Sequence, residues 1–193
     1  MPVLSPYLQH VQKWSNCQRC TLCKTRRNVV LARGKLPADI LFIGEAPGRS
    51  EDVLGYPFAG PAGQLLDQII LRALVQAGKP DLRTAFTNLV ACIPLDDGGT
   101  KTGEPLPEDV RACSPRLQEM VRIADPKLLV LVGQCTAGYT EPGKKAAVKF
   151  HRPIPRLEIV HPAAILRAST AQQSFMVQKC VVQIRKAAEG IPG

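Results

Sequence analysis

Three polar residues stand where a parallel sheet would deliver chemistry. Glu45 follows an apolar run, Ile40-Leu41-Phe42-Ile43, inside the turn Gly44-Glu45-Ala46-Pro47-Gly48. Four such residues in a row read as a strand buried on both faces. The turn cannot continue it, because Pro47 lacks an N–H and the glycines favour backbone angles that other residues avoid. Asn88 lies within a second apolar run, residues 85–91, and His161-Pro162 ends a short run at 157–160. A carboxylate, an amide and an imidazole supply a charge stabiliser or base, a paired donor and acceptor, and a donor that titrates near neutrality. Singly, each has an ordinary reading: a solvated turn glutamate, a strand-end amide, a satisfied histidine. Together at strand ends they lie on one edge, where open α/β sheets build their sites.

A second constellation is made of sulfur. Cys17-Gln18-Arg19-Cys20-Thr21-Leu22-Cys23 holds two overlapping C-x2-C spacings that share Cys20, so it offers one pair and one extra thiol. Cys92 and Cys113 can complete a set of four, because the Gly/Pro/Asp-rich segment 94–106 can fold one back towards the other. Four thiolates, two close and two distant, suit either zinc or an iron–sulfur cluster. The competing reading of Cys92 and Cys113 is a pair of buried thiols acting as small hydrophobes. Cys135 and Cys180 take that reading, and Cys23 stays ambiguous.

The elements that must position these groups follow from the pattern. A short helix is expected over 5–16. A helix with apolar residues at 65, 66, 69, 70 and 73–75 is expected over Gln64–Gln76, opened by Gly55-Tyr56-Pro57-Phe58-Ala59-Gly60-Pro61-Ala62-Gly63. Glycines and prolines so dense before a helix let backbone approach a ligand beside free helix N–H groups. A helix is expected from Pro107 to Ile123, a buried strand over Lys127–Val132, and a closing basic helix over 170–188. Segment 138–156 is the least regular. Strand and helix alternate as in an α/β sheet covered on its faces. A single domain over 1–193 is expected, with no internal repeat.

At 193 residues with 45% hydrophobic and 21% charged residues, the composition is that of a globular domain. No apolar run reaches membrane-span length and no signal peptide is evident, so a cytoplasmic monomer is expected. The net charge is +9. Residues 1–39 hold seven Lys/Arg and one acid, residues 142–193 nine and two, and the middle nine against thirteen acids. Basic ends around an acidic centre suit a polyanion, although basic solvated helices have the same composition.

Gly44-Glu45-Ala46-Pro47-Gly48 with Glu51, the glycine-rich stretch 55–63, Thr87-Asn88 and His161-Pro162-Ala163 together resemble the iron–sulfur uracil-DNA glycosylases, the fourth family of these enzymes. Cys17, Cys20, Cys92 and Cys113 match that family's four cluster ligands, and the resemblance runs in order from residue 17 to about 167. It implies a four-stranded parallel sheet between helices, a [4Fe-4S] cluster, and hydrolysis of the uracil–deoxyribose bond in single- or double-stranded DNA. Phe58 would stack on the flipped base, and Asn88 would pair with uracil O4 and N3–H. His161 would donate to O2, with Glu45 on the water and sugar side. Gly44 and Ala46 would edge the base, and Glu51 would line the pocket near uracil C5. Ile165 or Leu166 would fill the gap in the stack, and Arg167 would hold a phosphate. Two further readings are a sister activity on another deaminated or modified base and a DNA-binding accessory protein.

The chain departs from that family's pattern in two places, the loop after Cys92 and the segment after Gly133, and from the best-known uracil glycosylases in a third. Ala46 stands where the best-known uracil glycosylases carry an Asp. The loop between Cys92 and Cys113 is long, with Asp96-Asp97-Gly98-Gly99, and Ile93-Pro94-Leu95 replace the arginine the family often carries there. The segment from Gly133 to Arg156 matches poorly, and Gly138, Pro142 and Gly143 are expected to interrupt the helix after the third strand.

Overall fold

In chain order the elements of the computed structural model are helix α1 (Pro6–Trp14), a 3-10 turn (Thr21–Lys24), strand β1 (Arg33–Gly34), β2 (Ile40–Gly44), α2 (Arg49–Leu54), α3 (Pro61–Gln76), β3 (Thr84–Asn88), α4 (Pro107–Ala124), β4 (Leu128–Val132), α5 (Gln134–Thr140), β5 (Arg156–Ile159), α6 (Pro162–Arg167) and α7 (Thr170–Glu189). The structure describes residues 4–96, 99, 102–141 and 148–192. Asp97, Gly98, Pro142 and Gly143, on which expectations of irregular loops fall, lie outside the described residues.

The sheet order is β1-β3-β2-β4-β5. The four longer strands run parallel, in register from Ile40 opposite Thr84 and Leu128 to Gly44 opposite Asn88. This is the expected sheet with one addition. The two-residue β1 pairs antiparallel with β3 through Arg33–Phe86 and Gly34–Ala85. Two residues carry no periodicity, so no pattern in the sequence announces it.

The strands are buried on both faces because helices cover both. Ile40, Phe42, Phe86 and Val130 face one layer, formed by α3, α6 and α7. Leu41, Ile43, Ala85 and Leu129 face the other, where α4 packs through Val110, Leu117, Met120 and Val121. Alternate residues of each strand enter opposite layers, as the period of two demands. Pro61 opens α3 and Pro107 opens α4, each at a first position where its missing N–H costs nothing. Helix α1 docks on α4 around Glu119, whose carboxylate accepts from His10 Nδ1 at 3.0 Å and Trp14 Nε1 at 3.2 Å.

The topology fixes the site. The chain passes from β2 to β3 on one side, then crosses to β4 on the other side of β2. The carboxyl ends of β2 and β4 thus flank the point where strand order reverses, the place where such sheets open a crevice. Asp39 closes the opposite edge. It accepts from Arg83 N at 2.8 Å and pairs with Lys127 at 3.3 Å. Burial alone would raise its pKa, but the hydrogen bonds from Arg83 and Lys127 outweigh that and hold it at about 2.

Candidate active site

At the crevice, a pocket of about 350 Å3 is lined by Glu45, Ala46, Glu51, Phe58, Asn88, His161 and Arg167. The residues expected to act on a base therefore come together from four segments of the chain. Gly44 packs between two of the lining residues, Asn88 and Phe58. A Cβ there would overlap Asn88 Oδ1 and lie 2.7 Å from Phe58 Cζ. Only a glycine lets strand β2 end this close to both groups.

Phe58 is 8% exposed and meets Phe86 edge-on, with ring centroids 5.8 Å apart. Its φ of 55° lies in the left-handed region, uncommon for a bulky residue. Helix α3 locks that conformation, because Gly63 presses against the Phe58 backbone so closely that no Cβ would fit. Glu51 holds the two flanking loops together. One carboxylate oxygen accepts from Gly48 N at 3.1 Å and the other from Gly60 N at 3.0 Å. Glu51 thus lines the pocket with both oxygens already engaged.

His161 is the N-cap of α6, and its Nδ1 accepts from Ala163 N at 3.1 Å. An accepting Nδ1 leaves the proton of the neutral ring on Nε2, which can then donate. Burial, aided by the positive charge of Arg167, lowers its pKa below 6.5, against a smaller opposing effect of Glu51. The imidazole is therefore held neutral. Glu45 is half-buried, and burial together with the charge of Glu104 raises its pKa above 4.5.

Some of the site was not foreseen. Cys135, expected to be a core thiol, hydrogen-bonds Glu45 from the start of α5, and burial followed by the charges of Glu45 and Glu104 pushes it up to about 12. It remains a neutral thiol beside the carboxylate. Thr102 and Gly103 of the long loop line the pocket, brought there by the Leu95–Thr102 bridge and by Gly103 N donating to Pro94 O at 2.8 Å. Helix α5 runs through Gly138, so that residue does not interrupt it as expected. One expectation is corrected: Ile165 is 1% exposed and packs in the core against the sheet, so it cannot enter DNA, whereas its neighbour Leu166 is 45% exposed.

The four cysteines behave as a set. Cys17, Cys20, Cys92 and Cys113 border one cavity, with Trp14, Arg26 and Arg116 among its other walls. Arg26 reaches Cys92 Sγ at 3.6 Å. Burial pushes the Cys20 thiol to about 11 and Cys92 to about 12, so both keep their protons unless a metal displaces them. Among the described residues, no three His, Cys, Asp or Glu converge as a single metal ion requires.

A parallel sheet that gathers a carboxylate, an amide, a neutral imidazole and an aromatic face at its switch point has the groups to receive a flat, hydrogen-bonding ring. The particular family follows from comparison with known proteins: residues 31–185 match the Uracil DNA glycosylase superfamily, and the chain belongs to it. Among curated relatives, it is 32% identical over 178 residues to a type-4 uracil-DNA glycosylase of Pyrobaculum aerophilum, covering 83% of this chain and 84% of that one. The corresponding protein of Archaeoglobus fulgidus is 31% identical over 179 residues, covering 86% and 85%. That of Saccharolobus solfataricus is 37% identical over 123 residues, covering 64% of this chain. This chain spans about half the length of the Saccharolobus protein, 53%. No helix among the described residues is long and apolar enough to cross a membrane.

Proposed function

We propose that the protein is a uracil-DNA glycosylase that hydrolyses the N-glycosidic bond of deoxyuridine in single- or double-stranded DNA, acting as a monomer. The observation that carries this reading is the pocket in which the Asn88 amide, the His161 imidazole and the Phe58 ring line a single cleft. A base within a duplex is out of reach, so the nucleotide must swing out into that cleft. Phe58 gives the ring an apolar face to stack on. Asn88 offers an acceptor to N3–H and a donor to O4. Cytosine presents the reverse pattern and would leave buried polar groups unpaired.

Bond cleavage moves the N1–C1′ electron pair onto uracil, and water supplies the oxygen that C1′ gains. His161, neutral with its proton on Nε2, donates to O2 as that charge develops. A positioned donor of this kind is worth roughly 3–4 kcal/mol. Glu45 stands on the sugar side, where its carboxylate orients the water or offsets positive charge on the sugar. Ala46 has no proton to give or take, so this duty rests on Glu45. Arg167 holds a phosphate and Leu166 fills the vacated stack.

Cys17, Cys20, Cys92 and Cys113 would hold a [4Fe-4S] cluster, which when bound supplies a cross-link between the N-terminal segment and α4 and a one-electron redox centre. The test of the function is direct. The protein is incubated with oligonucleotides bearing one uracil, single- and double-stranded, then treated with alkali. Scission at the uracil is expected, and intact strands on both substrates would refute the reading. The cluster predicts a brown protein with broad visible absorbance and about four irons per chain. A colourless protein holding zinc would refute it.

A further inference from the structure

We propose that Arg116 is a positioning residue for base recognition, fixing the end of β3 that carries Asn88, with its charge balanced across the cavity wall by the four cysteine thiolates. The inference deepens the proposed function and rests on it. Arg116 is 1% exposed, yet among the described residues it has no carboxylate partner. Its Nη1 donates to Thr87 Oγ1 at 2.8 Å. Its Nη2 donates to Leu89 O at 2.9 Å and, by a short bond, to Asn88 O. Thr87 Oγ1 in turn donates to Leu31 O at 2.7 Å. One planar fork therefore holds three consecutive residues where β3 ends and the chain must turn away. The side-chain amide of the middle residue is the one that faces the pocket.

A full positive charge so deeply buried needs a counter-charge. Among the described residues the cysteine site is one candidate, alongside the buried carboxylate of Asp109 on the same helix, which hydrogen-bonds Cys20. Arg116 sits three residues after Cys113 on α4, hence on the same face, and lines the cavity that Cys17, Cys20 and Cys92 complete. As thiols these groups are neutral. Holding iron as thiolates, they would make a net anion beside the Arg116 guanidinium, which also donates to the Asn88 carbonyl. Arg116 Nε is also buried without a partner, as expected of a group whose surroundings are completed by what occupies the cavity. Arg116 thus links the cysteine site, which it lines, to the base pocket, which it reaches through the Asn88 carbonyl, and the cluster's charge would help hold the amide that reads uracil.

Two variants separate geometry from charge. Arg116→Lys keeps the charge but cannot span three acceptors, and Arg116→Met keeps the bulk and loses both. Each is purified with its cluster. Binding of free uracil is measured by calorimetry, kcat and KM on single-stranded uracil DNA, and the midpoint potential of the cluster by voltammetry. Arg116→Lys should bind uracil at least ten-fold more weakly and raise KM, with the potential close to wild type. Arg116→Met should show the same loss and a lower potential, because removing a positive charge disfavours the added electron. Should Arg116→Met fail to fold, the lysine variant alone still decides the geometric claim. Wild-type uracil affinity in Arg116→Lys overturns the positioning role, and an unshifted potential in a folded Arg116→Met overturns the charge link. A wild-type protein that releases no uracil overturns the proposed function and this inference with it, whereas an active wild type with unchanged variants overturns the inference alone.

Discussion

Replacing Gly44 by Ala tests the pocket at its narrowest point. The added methyl would stand 2.7 Å from Phe58 Cζ and closer still to Asn88 Oδ1, whereas real Cβ contacts stay beyond 3.0 Å. Phe58 must therefore retreat by at least a few tenths of an ångström and Asn88 by more. Neither can do so freely. Gly44 pairs directly with Asn88 in the sheet, and Phe58 is clamped by Gly63. Overpacking a well-filled site costs about 1–3 kcal/mol. In a chain of this size about 2 kcal/mol lowers the melting temperature by roughly 4–8 °C. Activity suffers more, because a displacement near 1 Å at a reacting centre costs on the order of 100-fold. Single-turnover excision from a uracil oligonucleotide should fall by about that factor, alongside the modest thermal shift. The control is Gly138→Ala within α5, where no atom lies within 4 Å of the new methyl. There alanine should be neutral or stabilising by about 0.5–1 kcal/mol, through helix propensity alone. A fully active Gly44→Ala protein would show that Asn88 and Phe58 do not grip the base as described.

Other expectations follow from single contacts. His161→Ala and Asn88→Ala should each cut kcat/KM by about 100- to 1,000-fold in a protein whose circular dichroism is unchanged; wild-type rates in both would place the pocket elsewhere. Activity should fall as pH drops through the raised pKa of Glu45, with a midpoint above 4.5, and Glu45→Gln should flatten that acid limb. A limb that persists in the glutamine variant assigns it to another group. Asp39 has its folded pKa lowered to about 2 from 3.8, so its stabilisation is full above the unfolded value and disappears as pH falls through the folded one. Asp39→Asn should cost roughly 2 kcal/mol at neutral pH, with the deficit vanishing towards pH 2 and excision rates unaffected; a deficit constant with pH would exclude the ion pairs as its cause. Leu166→Ala should slow excision from duplex more than from single-stranded substrate, while Ile165→Ala should cost about 2–5 kcal/mol of stability. Equal losses on the two substrates would remove the wedge role from Leu166.

The sheet and much of the pocket were legible because burial on two faces leaves a plain mark. Runs such as 40–43 and 128–132 are apolar without alternation, and polar residues at their ends stand out. What was not legible depends on pairings that leave no local trace. Arg33-Gly34 becomes a strand only because β3 offers it an edge. Ile165 and Leu166 are adjacent apolar residues, and which one faces the core is set by how a helix of a single turn and a half sits on the sheet. Cys135 looked like filler because nothing nearby reveals that β4 ends beside β2. Arg116 is one of three arginines on α4, and nothing in the local pattern marks it as the buried one. Its burial appears only once α4 packs beside the end of β3, where its guanidinium meets Thr87 and Leu89.

The left-handed backbone at Phe58 carries a consequence for how the protein divides its free energy between folding and turnover. A bulky residue held there costs about 1–3 kcal/mol, and that cost is met once, when α3 closes against the loop and Gly63 takes its place against the Phe58 backbone. No incoming base has to meet it again. A platform that relaxed between cycles would recover the strain as stability and then lose it as affinity at every encounter with DNA. A protein built this way should be somewhat less stable than its packing allows and quicker to accept an extruded base, because its stacking surface stands ready before any DNA arrives.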